Sequence, residues 1–118
     1  MLRAQRSAVI DIGSNSIRLV VFEGVPRAPL PIFNEKVICG LGQRLGSTGR
    51  LDPEGVHLAL ENLPRFKAAA EAMDVAEIIT VATSAVRDAE DGAEFVEAVT
   101  RQAGRSVDIL SGEDEARL

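Results

Sequence analysis

Three short stretches of the chain hold residue types that can handle phosphate and water. Asp11-Ile12-Gly13-Ser14-Asn15-Ser16 sets a carboxylate directly before a turn of small residues. Gly13 lets main chain approach an anion closely, Ser14 and Ser16 bring hydroxyl donors and Asn15 an amide, so the turn suits a phosphate cradle. Asp11 would repel phosphate; its useful tasks are to hold a Mg2+ ion through water or to order an attacking water. The same residues also suit a plain hairpin turn, in which Gly, Ser and Asn serve backbone geometry alone. In Thr83-Ser84-Ala85-Val86-Arg87-Asp88-Ala89, Arg87 is a candidate anion contact. Its guanidinium stays charged and can engage two phosphate oxygens, while the alternative is a surface ion pair with Asp88. Ser111-Gly112-Glu113-Asp114-Glu115 fits a helix start, with Ser111 and Asp114 spaced as a capping box. Its carboxylates either complement the helix dipole or include one held rigidly enough to act as a general base.

Those stretches need elements to position them. Residues 7–12 and 17–23 are short, apolar and β-branched on either side of the Gly13–Ser16 turn, which reads as a hairpin. Pro26, Pro29 and Pro31 punctuate a connection to a third strand, Ile32 to Cys39. Leu41 to Gly49 contains three glycines and reads as a loop. Asp52-Pro53-Glu54 opens a helix, with Asp52 as cap and Pro53 where its missing N–H costs nothing. Val56, Leu60, Leu63, Ala70 and Met73 mark its apolar face, and Pro64 predicts a kink or break. Glu77 to Ala82 reads as a central strand, about Gly92 to Gln102 as a helix, and Val107 to Leu110 as a last strand. Three strands, helix, strand, helix, strand is an α/β order. An antiparallel meander followed by βαβ crossovers, making a mixed sheet flanked by helices, is the topology of the ribonuclease H-like lobe of actin, sugar kinases and Hsp70.

At 118 residues the chain has room for about one domain, so a complete two-lobed catalyst is not expected. A net charge of −5 gives no bulk attraction to nucleic acid polymers or anionic membranes, so a polyanion must be held locally. Trp and Tyr are absent, which removes the usual base-stacking platforms and leaves an aliphatic core. Cys39 is the single cysteine, read as a small buried hydrophobe. His57 has no second His or Cys nearby and reads as a solvated helix residue. The opening apolar run is too short for a signal peptide or membrane span, and a cytoplasmic location is expected.

The three motifs together, Asp11 to Ser16 continuing into Ile17-Arg18-Leu19-Val20-Val21, Ala82 to Ala89, and Ser111-Gly112-Glu113-Asp114-Glu115-Ala116-Arg117-Leu118, occur in the order and spacing of one family. The chain resembles the exopolyphosphatase and guanosine pentaphosphate phosphatase (Ppx/GppA) family over almost its whole length. The resemblance implies hydrolysis of the terminal phosphate of inorganic polyphosphate or of pppGpp, with water as nucleophile and Mg2+ as cofactor. Glu115 matches the family's catalytic base. Asp114 stands where a Glu is usual, in a supporting role. Asp11 would lie near the metal, Gly13, Ser14, Asn15 and Ser16 around the phosphoryl group, and Arg87 would face the phosphates.

Two departures accompany that resemblance. Val37-Ile38-Cys39 lacks an arginine often found in that strand, so one basic contact with the polyanion is either missing or supplied by Arg44 instead. The second phosphate loop, of Asp-x-Gly-Gly-Gly-Ser type, does not occur in residues 1–118, so the chain is expected to be the N-terminal part of the first actin-like domain, with half of the phosphate clamp. Such a fragment is expected to be inactive alone, and an apolar face left exposed would favour a homodimer. The other reading is a non-catalytic actin-like module that binds phosphate or a partner chain; an actin-like kinase is a third.

Overall fold

The computed structural model of the chain describes residues 5–25, 27–103 and 107–109. The elements run β1 (Arg6–Ile12), β2 (Ser16–Glu23), β3 (Leu30–Ile38), α1 (Leu45–Thr48), α2 (Pro53–Ala72), β4 (Glu77–Ala82), α3 (Ser84–Asp88), α4 (Gly92–Ala103) and β5 (Val107–Ile109). The strands form one sheet in the order β3-β2-β1-β4-β5. β1, β2 and β3 are mutually antiparallel neighbours, while β4 pairs parallel with β1 and β5 parallel with β4. This is the meander followed by crossovers that the sequence leads one to expect, a ribonuclease H-like, actin-type lobe.

Strand alternation divides the sheet into two faces. Ala8, Ile10, Ile12, Ile17, Leu19, Val21, Ile78 and Ala82 point to one face and are buried against Ala59, Leu63, Phe66 and Ala70 of α2 and Phe95 and Val99 of α4. The core is aliphatic with two phenylalanines at its centre, as the composition requires.

The helices depart from the sequence pattern in three places. α2 runs through Pro64 without a break, because Pro64 is exposed and the Leu60 carbonyl that loses its helical donor can be hydrated. Its buried stripe centres on Ala59, Leu63, Phe66 and Ala70, leaving Val56, Leu60 and Met73 on the flank. The glycine-rich stretch is not wholly loop: Leu45–Thr48 closes one helical turn, with Ser47 Oγ and Thr48 Oγ1 donating to the Arg44 carbonyl at 3.2 and 2.9 Å. Gly49, at φ 72°, ends it in the left-handed region. Finally, α3 lies where the sequence pattern marks no element, since five residues are too few to show a helical period.

Candidate phosphate site

β1 and β2 are joined by Gly13, Ser14 and Asn15, and the Gly13 amide closes the turn on the Ser16 carbonyl at 2.9 Å. Ser14 and Asn15 are exposed. Their carbonyls are not free to face a ligand. Gly42 N–H donates to the Ser14 carbonyl at 2.8 Å, and Cys39 and Gly40 N–H both donate to the Asn15 carbonyl at 2.9 Å. No peptide bond is cis, and a trans peptide sets its C=O and the next N–H on opposite edges. Tying the Ser14 carbonyl back therefore aims the Asn15 amide away from residues 39–42, and tying the Asn15 carbonyl does the same for the Ser16 amide. The Asn15 and Ser16 amides thus face away from the strap that holds the two carbonyls, a polarity that suits an anion.

Residues 39–52 thus form a strap behind the turn. Gly42 lies where turn, strap and α3 meet: a Cβ there would stand 3.0 Å from the Ser14 Cβ and 3.2 Å from the Ala85 Cβ. The end of β4 is fixed to the same corner, with the amide and Oγ1 of Thr83 both donating to the Ile12 carbonyl at 3.0 and 3.2 Å. None of these strap contacts carries a sequence spacing that would have announced it, although the Gly-Leu-Gly run at 40–42 was the available hint.

Asp11 sits half-buried near the end of β1, with Arg18 opposite it in β2 and Val81 in β4. Ile10 and Ile12 face the helices, so the Asp11 carboxylate belongs to the other face. No group of three or more potential ligands for a metal is found among the described residues. A dedicated protein cage for Mg2+ is therefore not built from them, but one carboxylate beside a phosphate turn suits an ion that keeps its waters and binds phosphate oxygens.

Arg87 lies in the last turn of α3, and its Nε is 3.3 Å from Asp88 Oδ1 at the surface. Arg44 is engaged as well, with Nε 2.9 Å from Asp52 Oδ1. Cys39 is buried, its Sγ 3.7 Å from the Val37 carbonyl. Burial pushes its thiol above the ordinary range, with a backbone hydrogen bond from Ile17 acting weakly the other way, so it stays protonated and is no nucleophile at neutral pH. His57 is solvated, as expected, with an exposed side chain. Ser111, Asp114 and Glu115 lie outside the described residues. The structure thus brings Asp11, Gly13, Ser14, Asn15 and Ser16 together at one sheet end and sets α3, with Arg87, beside them.

The sheet order and pairing define an actin-type lobe, and the similarities narrow it to a family. The pattern of the Ppx/GppA phosphatase family matches residues 20–118. Exopolyphosphatase 1 of Mycobacterium tuberculosis is 32% identical over 114 residues, covering 96% of this chain and 33% of its own. The crystal structure of the Aquifex aeolicus Ppx/GppA family member superposes with a TM-score of 0.89 at 32% identity, covering 97% of this chain and 37% of that one. RuvC of T. thermophilus, at 13% identity and TM-score 0.50 over 92% of this chain and 66% of its own, shares the fold alone. The chain belongs to the Ppx/GppA phosphatase family, and it spans about a third of the length of the curated relatives it matches.

Proposed function

We propose that the protein, at the full length of its relatives, hydrolyses the terminal phosphate of inorganic polyphosphate or pppGpp. The observation that supports this most directly is the polarity of the 13–16 turn, whose Ser14 and Asn15 carbonyls are tied to the strap while the following amides face away from it. A terminal phosphoryl group would take hydrogen bonds from those amides and from the Ser14 and Ser16 hydroxyls. The Asn15 side chain and Arg87 would orient its oxygens and the next phosphate. Asp11 would hold Mg2+ through water, and the ion would offset charge developing on the phosphoryl oxygens. Glu115 would accept a proton from the attacking water, with Asp114 supporting it, while the broken bond leaves the shortened chain or nucleotide. A second phosphate loop beyond residue 118 would complete the clamp, so the 118-residue chain alone would bind weakly and turn over little. A cytoplasmic protein and a homodimer fit this reading.

The test is phosphate release from long-chain polyphosphate and from pppGpp by the full-length protein, with and without Mg2+. Glu115→Gln should lower turnover by roughly 10²–10⁴-fold while substrate binding survives. Unchanged turnover would remove Glu115 as the base. Binding without turnover in the unsubstituted protein would favour the non-catalytic module, and stabilisation by ATP the actin-like kinase.

A further inference from the structure

The strap that ties back the turn is itself anchored, and its anchor lies far along the chain. Its near end is the set of amides from Cys39, Gly40 and Gly42 on the Asn15 and Ser14 carbonyls. Midway, the Asp52 amide donates to the Leu41 carbonyl at 2.8 Å. The buried Asp52 side chain accepts from Gly55 N–H at 3.0 Å, capping α2. Gly55 has no room for a side chain, since a Cβ would stand 2.8 Å from the Cys39 carbonyl oxygen. At the far end, Leu51 N–H donates to Asp91 Oδ1 at 2.9 Å across 40 residues of sequence. Arg50 reaches Asp91 Oδ2 at 3.7 Å, and the Glu90 amide donates to the Gly49 carbonyl at 2.8 Å. Asp91 directly precedes α4, where a residue of its type ordinarily serves its own helix as cap. Its two oxygens instead meet the strap. α4 in turn is locked to α3, because a Cβ at Gly92 would fall 2.0 Å from the Val86 carbonyl oxygen.

From this chain of contacts we infer that Asp91 is a positioning residue for the phosphate turn: by accepting from Leu51 N–H it holds the strap in the place where Gly40 and Gly42 keep the Ser14 and Asn15 carbonyls turned away from the ligand. The inference rests on the phosphate-binding reading of that turn. It is separable from the hydrolytic reading, because it makes a claim about backbone order that needs no turnover.

Two substitutions in the full-length protein test it. Asp91→Ala removes the acceptor, whereas Asp91→Asn keeps Oδ1 and removes only the charge facing Arg50. Asp91→Ala should lower kcat/KM for phosphate release about tenfold, because a small displacement of positioning groups is costly. It should also speed amide hydrogen exchange at Gly40 and Gly42 by about tenfold while the amides of β1 in the sheet centre stay protected. Asp91→Asn should stay near the unsubstituted protein in both. Unchanged exchange at Gly40 and Gly42 in Asp91→Ala would overturn the inference, as would Asp91→Asn being as damaging as Asp91→Ala. A full-length protein that hydrolyses neither substrate would sink the phosphatase reading and leave the exchange result to decide the role of Asp91.

Discussion

The two faces of the sheet are finished differently. Toward α2 and α4, Ala8, Ile12, Ile17, Leu19, Val21 and Ala82 are fully buried. On the opposite face no described helix covers the strands: Val9 and Val20 are half-buried and Ile79 is 38% exposed. That face also holds Asp11, Arg18 and Lys36, one beside the next across β1, β2 and β3. One face carries the apolar burial that stabilises the lobe, and the other carries this row of charged side chains. The division follows from alternation in β1, where Ile10 and Ile12 enter the core only by sending Asp11 the other way.

This contrast is easiest to break by removing side chains from each face in turn. Phe66 is the largest fully buried side chain, pressed by α2 onto the covered face. Phe66→Ala should cost about 3–5 kcal/mol in urea denaturation, near the whole stability of a small domain. Val20→Ala, on the other face, should cost less than about 1 kcal/mol. Comparable losses at the two positions would mean that the open face is also packed and that the division is false.

A finer version compares glycines. Gly92, at the start of α4, has the Val86 carbonyl oxygen 2.0 Å from where a Cβ would stand, so helix and neighbour touch through bare backbone. Gly46, in α1, has nothing within 4 Å. Alanine normally stabilises a helical position over glycine by about 0.5–1 kcal/mol, and Gly46→Ala should follow that rule. Gly92→Ala should reverse it and destabilise by about 1–3 kcal/mol, since α4 must shift off α3. A gain at Gly92 would show that the α3–α4 corner yields easily, and it would weaken the case for Asp91 as a fixed anchor.

Much of this was legible in the sequence because it is local. The hairpin around Gly13–Ser16, the cap at Asp52, the strand at Glu77–Ala82 and the helix from Gly92 each follow from spacing or from a residue's own preferences. The family was legible for a different reason, that three motifs in fixed order are specific where each alone is not. What escaped is long-range. Leu51 N–H on the Asp91 carboxylate and Gly42 N–H on the Ser14 carbonyl join segments tens of residues apart, and in each the donor is a backbone amide, a group that is the same at every position. Pro64 meets the same limit: the local rule allows a kink or a break, and that the helix continues to Ala72 depends on the tertiary packing of its buried stripe.

A small effect of either sign is expected around the covered face itself. Thr80 is 4% exposed on β4, and its Oγ1 has no hydrogen-bond partner among the described residues. It borders a small, mainly apolar cavity between α2 and α4 lined by Ile10, Leu63, Ile78 and Val99, with Lys67 and Gln102 also lining it. A buried hydroxyl without a partner costs about 1–3 kcal/mol, and valine has the same shape without the cost. Thr80→Val should therefore stabilise by about 1 kcal/mol. Thr83, three residues on, is the internal control, because its Oγ1 donates to the Ile12 carbonyl at 3.2 Å. Thr83→Val should lose about 1 kcal/mol by the same reasoning. If both substitutions destabilise alike, a water bound in the cavity satisfies Thr80, and the covered face is wetter than its aliphatic lining implies. Opposite signs would establish that the polar pairing of this lobe is concentrated at the Gly13–Ser16 end of the sheet, where Thr83 holds the Ile12 carbonyl, and is given up in the core that supports it.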